Sequence, residues 1–223
     1  VRRLAETAIV GDRVNRPPFP VRGELTYRLQ AGTLGDAEFD ALYPSEVAAI
    51  SSKFWTPIEV AMRAAELLGG AEGRKILDIG AGVGKFCLVG AAGVGGTYVG
   101  IEQRPRLVQI AREAAQTLKL RSLEFREGDL SSVDLREFDG IYLFNPFEEN
   151  VRGPKDHIDE TVPLSIDRYL EDVAATEALL EQAAPGTHVA IYHGFGGRRP
   201  ADYVKVLEER WRYGRLELWK KQQ

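Results

Sequence analysis

The residues of this chain best placed to do chemistry lie in Asp78-Ile79-Gly80-Ala81-Gly82-Val83-Gly84-Lys85. Glycines at 80, 82 and 84 free the backbone for a tight turn and for close approach to a ligand. Three nucleotide-binding patterns compete for the loop. A P-loop closing on Gly84-Lys85 needs glycine at 79 and Ser or Thr at 86, where the chain has Ile79 and Phe86. A G-x-G-x-x-G dinucleotide turn from Gly80 needs glycine at 85, where Lys85 stands. The pattern D-x-G-x-G-x-G fits at every position. Asp78 is then informative, because a carboxylate just before the turn repels a pyrophosphate and suits a ligand carrying positive charge. A plain glycine turn with a buried, capped aspartate is the alternative.

Further acids follow in an order that suits a nucleoside. Glu102 ends Tyr98-Val99-Gly100-Ile101-Glu102 and can grip both ribose hydroxyls, although acids often end strands. Asp129, in Glu127-Gly128-Asp129-Leu130, can accept a hydrogen bond from an adenine amino group, with Leu130 or Ile101 against the ring. An ordinary Gly-Asp turn explains it equally well. S-adenosylmethionine carries a nucleoside, a sulfonium and an ammonium group and no phosphate, so it suits these acids better than a dinucleotide does.

Asn145-Pro146-Phe147 brings together a carboxamide, a carbonyl and an aromatic ring. Read from the residues themselves, this stretch is an Asn-Pro turn of the chain. Candidate proton acceptors are Glu148, Glu149, Asp156, His157 and His193, although a lone histidine placed as His193 is more often a structural hydrogen bonder. Phe54-Trp55 can cover a ligand, stack a planar acceptor or simply pack. His157 among Asp156, Asp159 and Glu160 reads as a solvated loop, so no metal is expected. Cys87, the single cysteine, sits in Phe86-Cys87-Leu88-Val89 and reads as a small buried thiol.

These residues need a scaffold that presents strand ends to one side. Thr56-Pro57-Ile58-Glu59 reads as a capping box opening a helix over 57–68. Strands are expected over 75–79, 97–101, 123–127, 139–144 and 187–193. Helices are expected between them over 85–92, 105–118 and 165–184, the last with Ile166, Leu170, Val173 and Leu180 on its apolar stripe. A short helix is expected over 203–209, then a hairpin joining 210–213 to 215–220 across Gly214. Alternating strands and helices imply a mostly parallel sheet whose ligands lie beyond the strands' carboxyl ends. Residues 1–55 read as an N-terminal arm or cover segment, with short helical pieces over 36–43 and 45–51. Asn15-Arg16-Pro17-Pro18-Phe19-Pro20 is unable to sit inside a helix or central strand.

From Thr56 to the closing hairpin the chain resembles the class I S-adenosylmethionine-dependent methyltransferases. The likeness rests on the loop Asp78–Gly84, on Glu102 and on Gly128-Asp129. It implies an α/β, Rossmann-like, seven-stranded sheet of order 3-2-1-4-5-7-6 with the last strand antiparallel, occupying residues 56–223. It implies S-adenosyl-L-methionine as cofactor, met by Asp78, Gly80, Ala81, Gly82, Gly84, Glu102, Gln103, Asp129, Leu130, Asn145 and Thr56. Asn145-Pro146-Phe147 is similar to a shortened form of the family's Asn-Pro-Pro-aromatic motif for nitrogen methylation. The catalytic set is then Asn145, Pro146 and Phe147 from that motif, with His193 added as a candidate base from the end of the fifth strand. The acceptor stays open among a protein side chain, a nucleobase and a small molecule. A non-catalytic binding protein on the same fold is the alternative, and a nicotinamide-dependent oxidoreductase a weaker one.

Composition agrees with an enzyme-sized globular chain. Of 223 residues, 44% are hydrophobic and 28% charged, which excludes a disordered or coiled-coil protein. A net charge of −4 gives no global pull toward nucleic acid or an anionic membrane. Arg198, Arg199, Arg210, Arg212, Arg215, Lys220 and Lys221 do crowd the C-terminal end, as a solvated surface or a polyanion site. No apolar run reaches membrane-span length, and the lone cysteine fits a reducing, cytoplasmic setting.

Overall fold

A computed structural model describes residues 20–223. The proline-rich stretch at 15–19 lies outside the described residues. Short apolar runs interleaved with amphipathic ones produce five parallel strands: β1 (Lys75–Ile79), β2 (Thr97–Glu102), β3 (Leu123–Glu127), β4 (Gly140–Phe144) and β5 (His188–Tyr192). The closing hairpin, β6 (Tyr203–Trp211) and β7 (Gly214–Lys221), attaches through β7, antiparallel to β5. The order is β3-β2-β1-β4-β5-β7-β6, as the resemblance implies.

In the central strands both faces are buried, so alternate residues feed two cores. Ile76, Tyr98, Tyr142 and Ala190 point to one side and Leu77, Val99, Ile141 and Val189 to the other. The first side is covered by α5 (Ile58–Leu67), α6 (Lys85–Gly93) and α7 (Pro105–Thr117). There Phe86 stacks on Tyr142 with ring centroids 4.0 Å apart. The second side is covered by α8 (Ile166–Gln182), which Ser165 caps by accepting from Arg168 N–H at 3.1 Å.

Ahead of α5 come α1 (Arg22–Gln30), α2 (Asp36–Asp40), α3 (Ser45–Ala48) and α4 (Ser51–Phe54). Leu25, Phe39 and Val47 from these helices belong to the same core as α6. Every residue of α6 is consequently buried, including Lys85. Its ammonium lies 2.7 Å from Asp36 and 2.7 Å from Asp40, and donates to Ser51 at 3.2 Å. The cation that follows the glycine loop therefore ties the preceding helices to it.

Three expectations are corrected. Residues 203–209 form a strand: a bulge between Lys205 and Leu207 breaks the two-residue alternation, so the apolar positions mimic helical spacing. Thr56 does not cap α5. Its hydroxyl hydrogen-bonds with the Tyr142 hydroxyl at 3.0 Å, and Asp36 accepts from Ile58 N–H at 2.9 Å instead. Ile166 and Leu170 face solvent, and α8 buries Val173, Thr176 and Leu180.

Candidate functional site

The carboxyl ends of β1, β2 and β4 open into a cleft. Its floor is the glycine loop. Gly80 and Gly82 adopt the left-handed region at φ 75° and 56°. A side chain on Gly80 would come within 2.9 Å of Pro146 Cβ, and one on Gly82 would enter the Trp55 ring. The close approach expected from a ligand is thus made here by Pro146 and Trp55, which fold over the loop from either side.

Glu102 stands at the end of β2, half-encircled by backbone donors. Its Oε2 accepts from Gly82 N–H at 3.1 Å and its Oε1 from Arg104 N–H at 2.9 Å. Burial raises its pKa above the usual carboxylate value, opposed by those hydrogen bonds and by the Arg104 charge. Each oxygen keeps a lone pair for a ligand hydroxyl. Asp129 is exposed and accepts from the Ser131 hydroxyl at 2.6 Å and N–H at 2.9 Å. Those bonds hold its pKa below the ordinary value. Ile79, Ile101 and Leu130 supply an apolar wall between the two acids.

Asn145 follows β4 at φ 43°, a left-handed conformation uncommon outside glycine. Its N–H donates to Gly194 O at 3.1 Å, joining the ends of β4 and β5. Its side-chain Nδ2 donates to Glu148, which Arg152 holds at 2.6 Å. A carboxylate only accepts, so Glu148 fixes the NH2 side of the carboxamide and leaves Oδ1 as the free acceptor. Phe54, Phe144 and Phe147 line the same cleft.

Gly80, Gly82, Glu102, Gln103, Asp129, Leu130, Asn145, Pro146 and Phe147 therefore meet at one cleft, with Glu148 and Glu149. Other expected site residues lie elsewhere. Asp78 is buried behind the loop, where Cys87 Sγ approaches Asp78 Oδ2 at 3.6 Å, and burial lifts its pKa to about 7. Ala81 and Gly84 are buried in the turn; Gly84 is spaced by the Phe125 ring. Thr56 faces Tyr142. The His193 ring packs by Phe144 and Tyr192, lines a separate hollow beside β7, and has its pKa lowered by burial. His157 hydrogen-bonds with Arg152 O at 3.1 Å, and Asp156 pairs with Lys53 at 2.6 Å.

The cleft also holds residues that local sequence did not signal. Arg104 is buried between Glu149 at 2.9 Å and Asp159 at 3.0 Å, and so anchors the long loop after β4. Arg168 on α8 donates to Gln103 Oε1 at 2.7 Å. Both are long-range pairs without a spacing signature. The four-residue separation of Glu148 and Arg152 is the one available hint.

A parallel sheet in this order, with a glycine turn after β1 and an acid ending β2, defines the Rossmann-like methyltransferase class. The family described as a methyltransferase domain matches residues 71–182 of the 223, and the chain belongs to it, among the S-adenosylmethionine-dependent methyltransferases. An RNA methyltransferase from Salinibacter ruber in complex with S-adenosyl-L-homocysteine is similar at 25% identity. That likeness covers 75% of this chain and 94% of that one, with a TM-score of 0.55. TrmN from Thermus thermophilus (19% identity, 83% and 52% covered, TM-score 0.52) shares the fold. So does a mutant of MtNAS in complex with S-adenosylmethionine (14%, 91% and 77%, TM-score 0.55). Among curated proteins none matches the sequence. Among the described residues no helix is long and apolar enough to cross a membrane.

Proposed function

We propose that this chain transfers the methyl group of S-adenosylmethionine to a nitrogen of an amine or amide acceptor. The observation that carries the reading is the carboxamide of Asn145, held by Glu148 with Oδ1 free, in the same cleft as Glu102. The donor set also fits the cofactor. Glu102 suits vicinal hydroxyls, Asp129 an amino group, and Ile101 with Leu130 an adenine face. When bound, the cofactor supplies an electrophilic methyl on a sulfonium.

This chain's residues then have to position and deprotonate. Asn145 Oδ1 and the Pro146 carbonyl accept hydrogen bonds from the acceptor N–H groups, which aims the nitrogen lone pair along the transfer axis. Phe147 and Phe54 confine the acceptor plane. Such alignment supplies much of the barrier reduction for a displacement that needs no covalent intermediate. Glu148, paired with Arg152, takes up the proton that the nitrogen releases.

Calorimetry with S-adenosylmethionine and S-adenosylhomocysteine tests cofactor binding. A radiolabelled methyl-transfer screen on lysate divided into protein, RNA and small molecules tests the acceptor. Binding of neither ligand refutes the enzyme. Binding without transfer to any fraction leaves a binding protein in its place.

A further inference from the structure

The tip of the closing hairpin, Arg210-Trp211-Arg212-Tyr213-Gly214-Arg215, takes no part in the cleft. Its composition is poorly explained by folding. Two-residue hairpin turns favour Asn, Asp and Gly, yet this one is built from Arg212 and Tyr213. Arg210 and Arg215 are direct cross-strand partners, a like-charge arrangement that costs stability. Among the described residues neither Arg210 nor Arg212 pairs with a carboxylate. Arg215 only reaches Glu208 at 3.5 Å. Tyr213 is 63% exposed, with the Arg212 guanidinium 5.1 Å from its ring centre.

The tip lies beside the chemistry. β7 runs antiparallel to β5, so Gly214 sits at the carboxyl end of β5, where a side chain on it would be 2.7 Å from the His193 ring. The next residue, Gly194, accepts the Asn145 N–H. His193 and Gly194 thus link the tip to the backbone of Asn145.

We propose that this tip docks the backbone of a single-stranded nucleic acid and leads a base toward the cleft. The docking stands on the tip alone; the base as methyl acceptor rests on the function proposed above. Three arginines and no lysine favour phosphate, whose oxygens match the planar guanidinium fork. An exposed tyrosine among them offers a stacking face that an unpaired base uses and an acidic side chain does not. Beyond the tip, Asn145 Oδ1 and Phe147 suit a planar amino group of the kind bases carry. The overall charge of −4 gives no global pull toward nucleic acid, so the docking rests on this local cluster.

The test is fluorescence anisotropy with labelled single-stranded RNA and DNA 12-mers of mixed sequence, at 50 and 200 mM salt. Three phosphate contacts on a single strand predict a log–log salt slope of about −2, or about 20-fold weaker binding at the higher salt. The variant R210Q/R212Q/R215Q is expected to flatten that slope and bind at least tenfold more weakly at low salt. Tyr213→Ala is expected to weaken binding at both salts with the slope kept. Calorimetry with S-adenosylmethionine on the same proteins reports that each is folded. Wild-type-like binding by the triple variant overturns the proposal. So does equal affinity for a poly-glutamate peptide, or a preference for a 12-base-pair duplex. S-adenosylmethionine binding without nucleic-acid binding refutes the docking alone. Tip-dependent nucleic-acid binding without S-adenosylmethionine binding refutes the methyltransferase reading and leaves the docking intact.

Discussion

Replacing Asp78 by Asn should make the protein less sensitive to alkaline pH. Asp78 is buried at the end of β1, with a weak thiol donor from Cys87 and the Glu102 charge nearby. Desolvation lifts its pKa from 3.8 to about 7. The native state therefore holds the proton where the unfolded chain has released it, and stability falls as pH rises from about 4 to about 7. That rise from 3.8 to about 7 corresponds to about 4 kcal/mol. At pH 5.5 roughly half of that loss has occurred, so about 2 kcal/mol remains to be lost by pH 8.5. Asn keeps an acceptor for the thiol and carries no charge. Urea unfolding of both proteins at pH 5.5 and 8.5 isolates the group, because other titrations cancel in the difference. The variant should gain on wild type by about 2 kcal/mol between the two pH values. A stability difference that stays constant with pH would refute the buried, proton-holding carboxyl.

Glu102→Ala should weaken S-adenosylmethionine binding by about 1–3 kcal/mol in calorimetry, the range for charge-assisted hydrogen bonds. Asn145→Ala should leave that binding intact and lower kcat on the true acceptor, measured by methyl transfer; full activity would remove Asn145 from acceptor positioning. Lys85→Met strands Asp40 in the interior and should cost about 3–5 kcal/mol in denaturant unfolding, as breaking a buried pair does. A cost below 1 kcal/mol would mean that Lys85 does not hold the N-terminal helices to the loop.

The arrangement gives Lys85 a different job from the lysine of a phosphate-binding loop. There the ammonium faces the ligand. Here it turns inward to Asp36, Asp40 and Ser51. Trp55, which covers Gly82, follows directly on the helices so anchored. The segment preceding α5 thus shapes the cleft through packing as well as through Phe54 and Trp55.

Much of the site was legible in the sequence, because an open parallel sheet aligns the carboxyl ends of its strands. Once β1, β2 and β4 are recognised by their apolar runs, Gly80, Glu102 and Asn145 must share one edge. Asp129, after β3, joins them by the same rule. Local spacing also marks the glycine turn and Pro105 at the start of α7. Only the tertiary structure decided which of those residues reach the cleft. Asp78 and Thr56 lie next to site residues in sequence, but successive positions point to opposite sides, and both were drawn into the core with Cys87 and Tyr142. His193 ends the correct strand, yet its ring turned toward β7. The bulged edge strand β6 imitated a helix because one extra residue shifts the alternation. Lys85 with Asp40, and Arg104 with Glu149, are pairs between distant segments. No spacing along the chain encodes them, since their partners meet only when the helices close over the sheet.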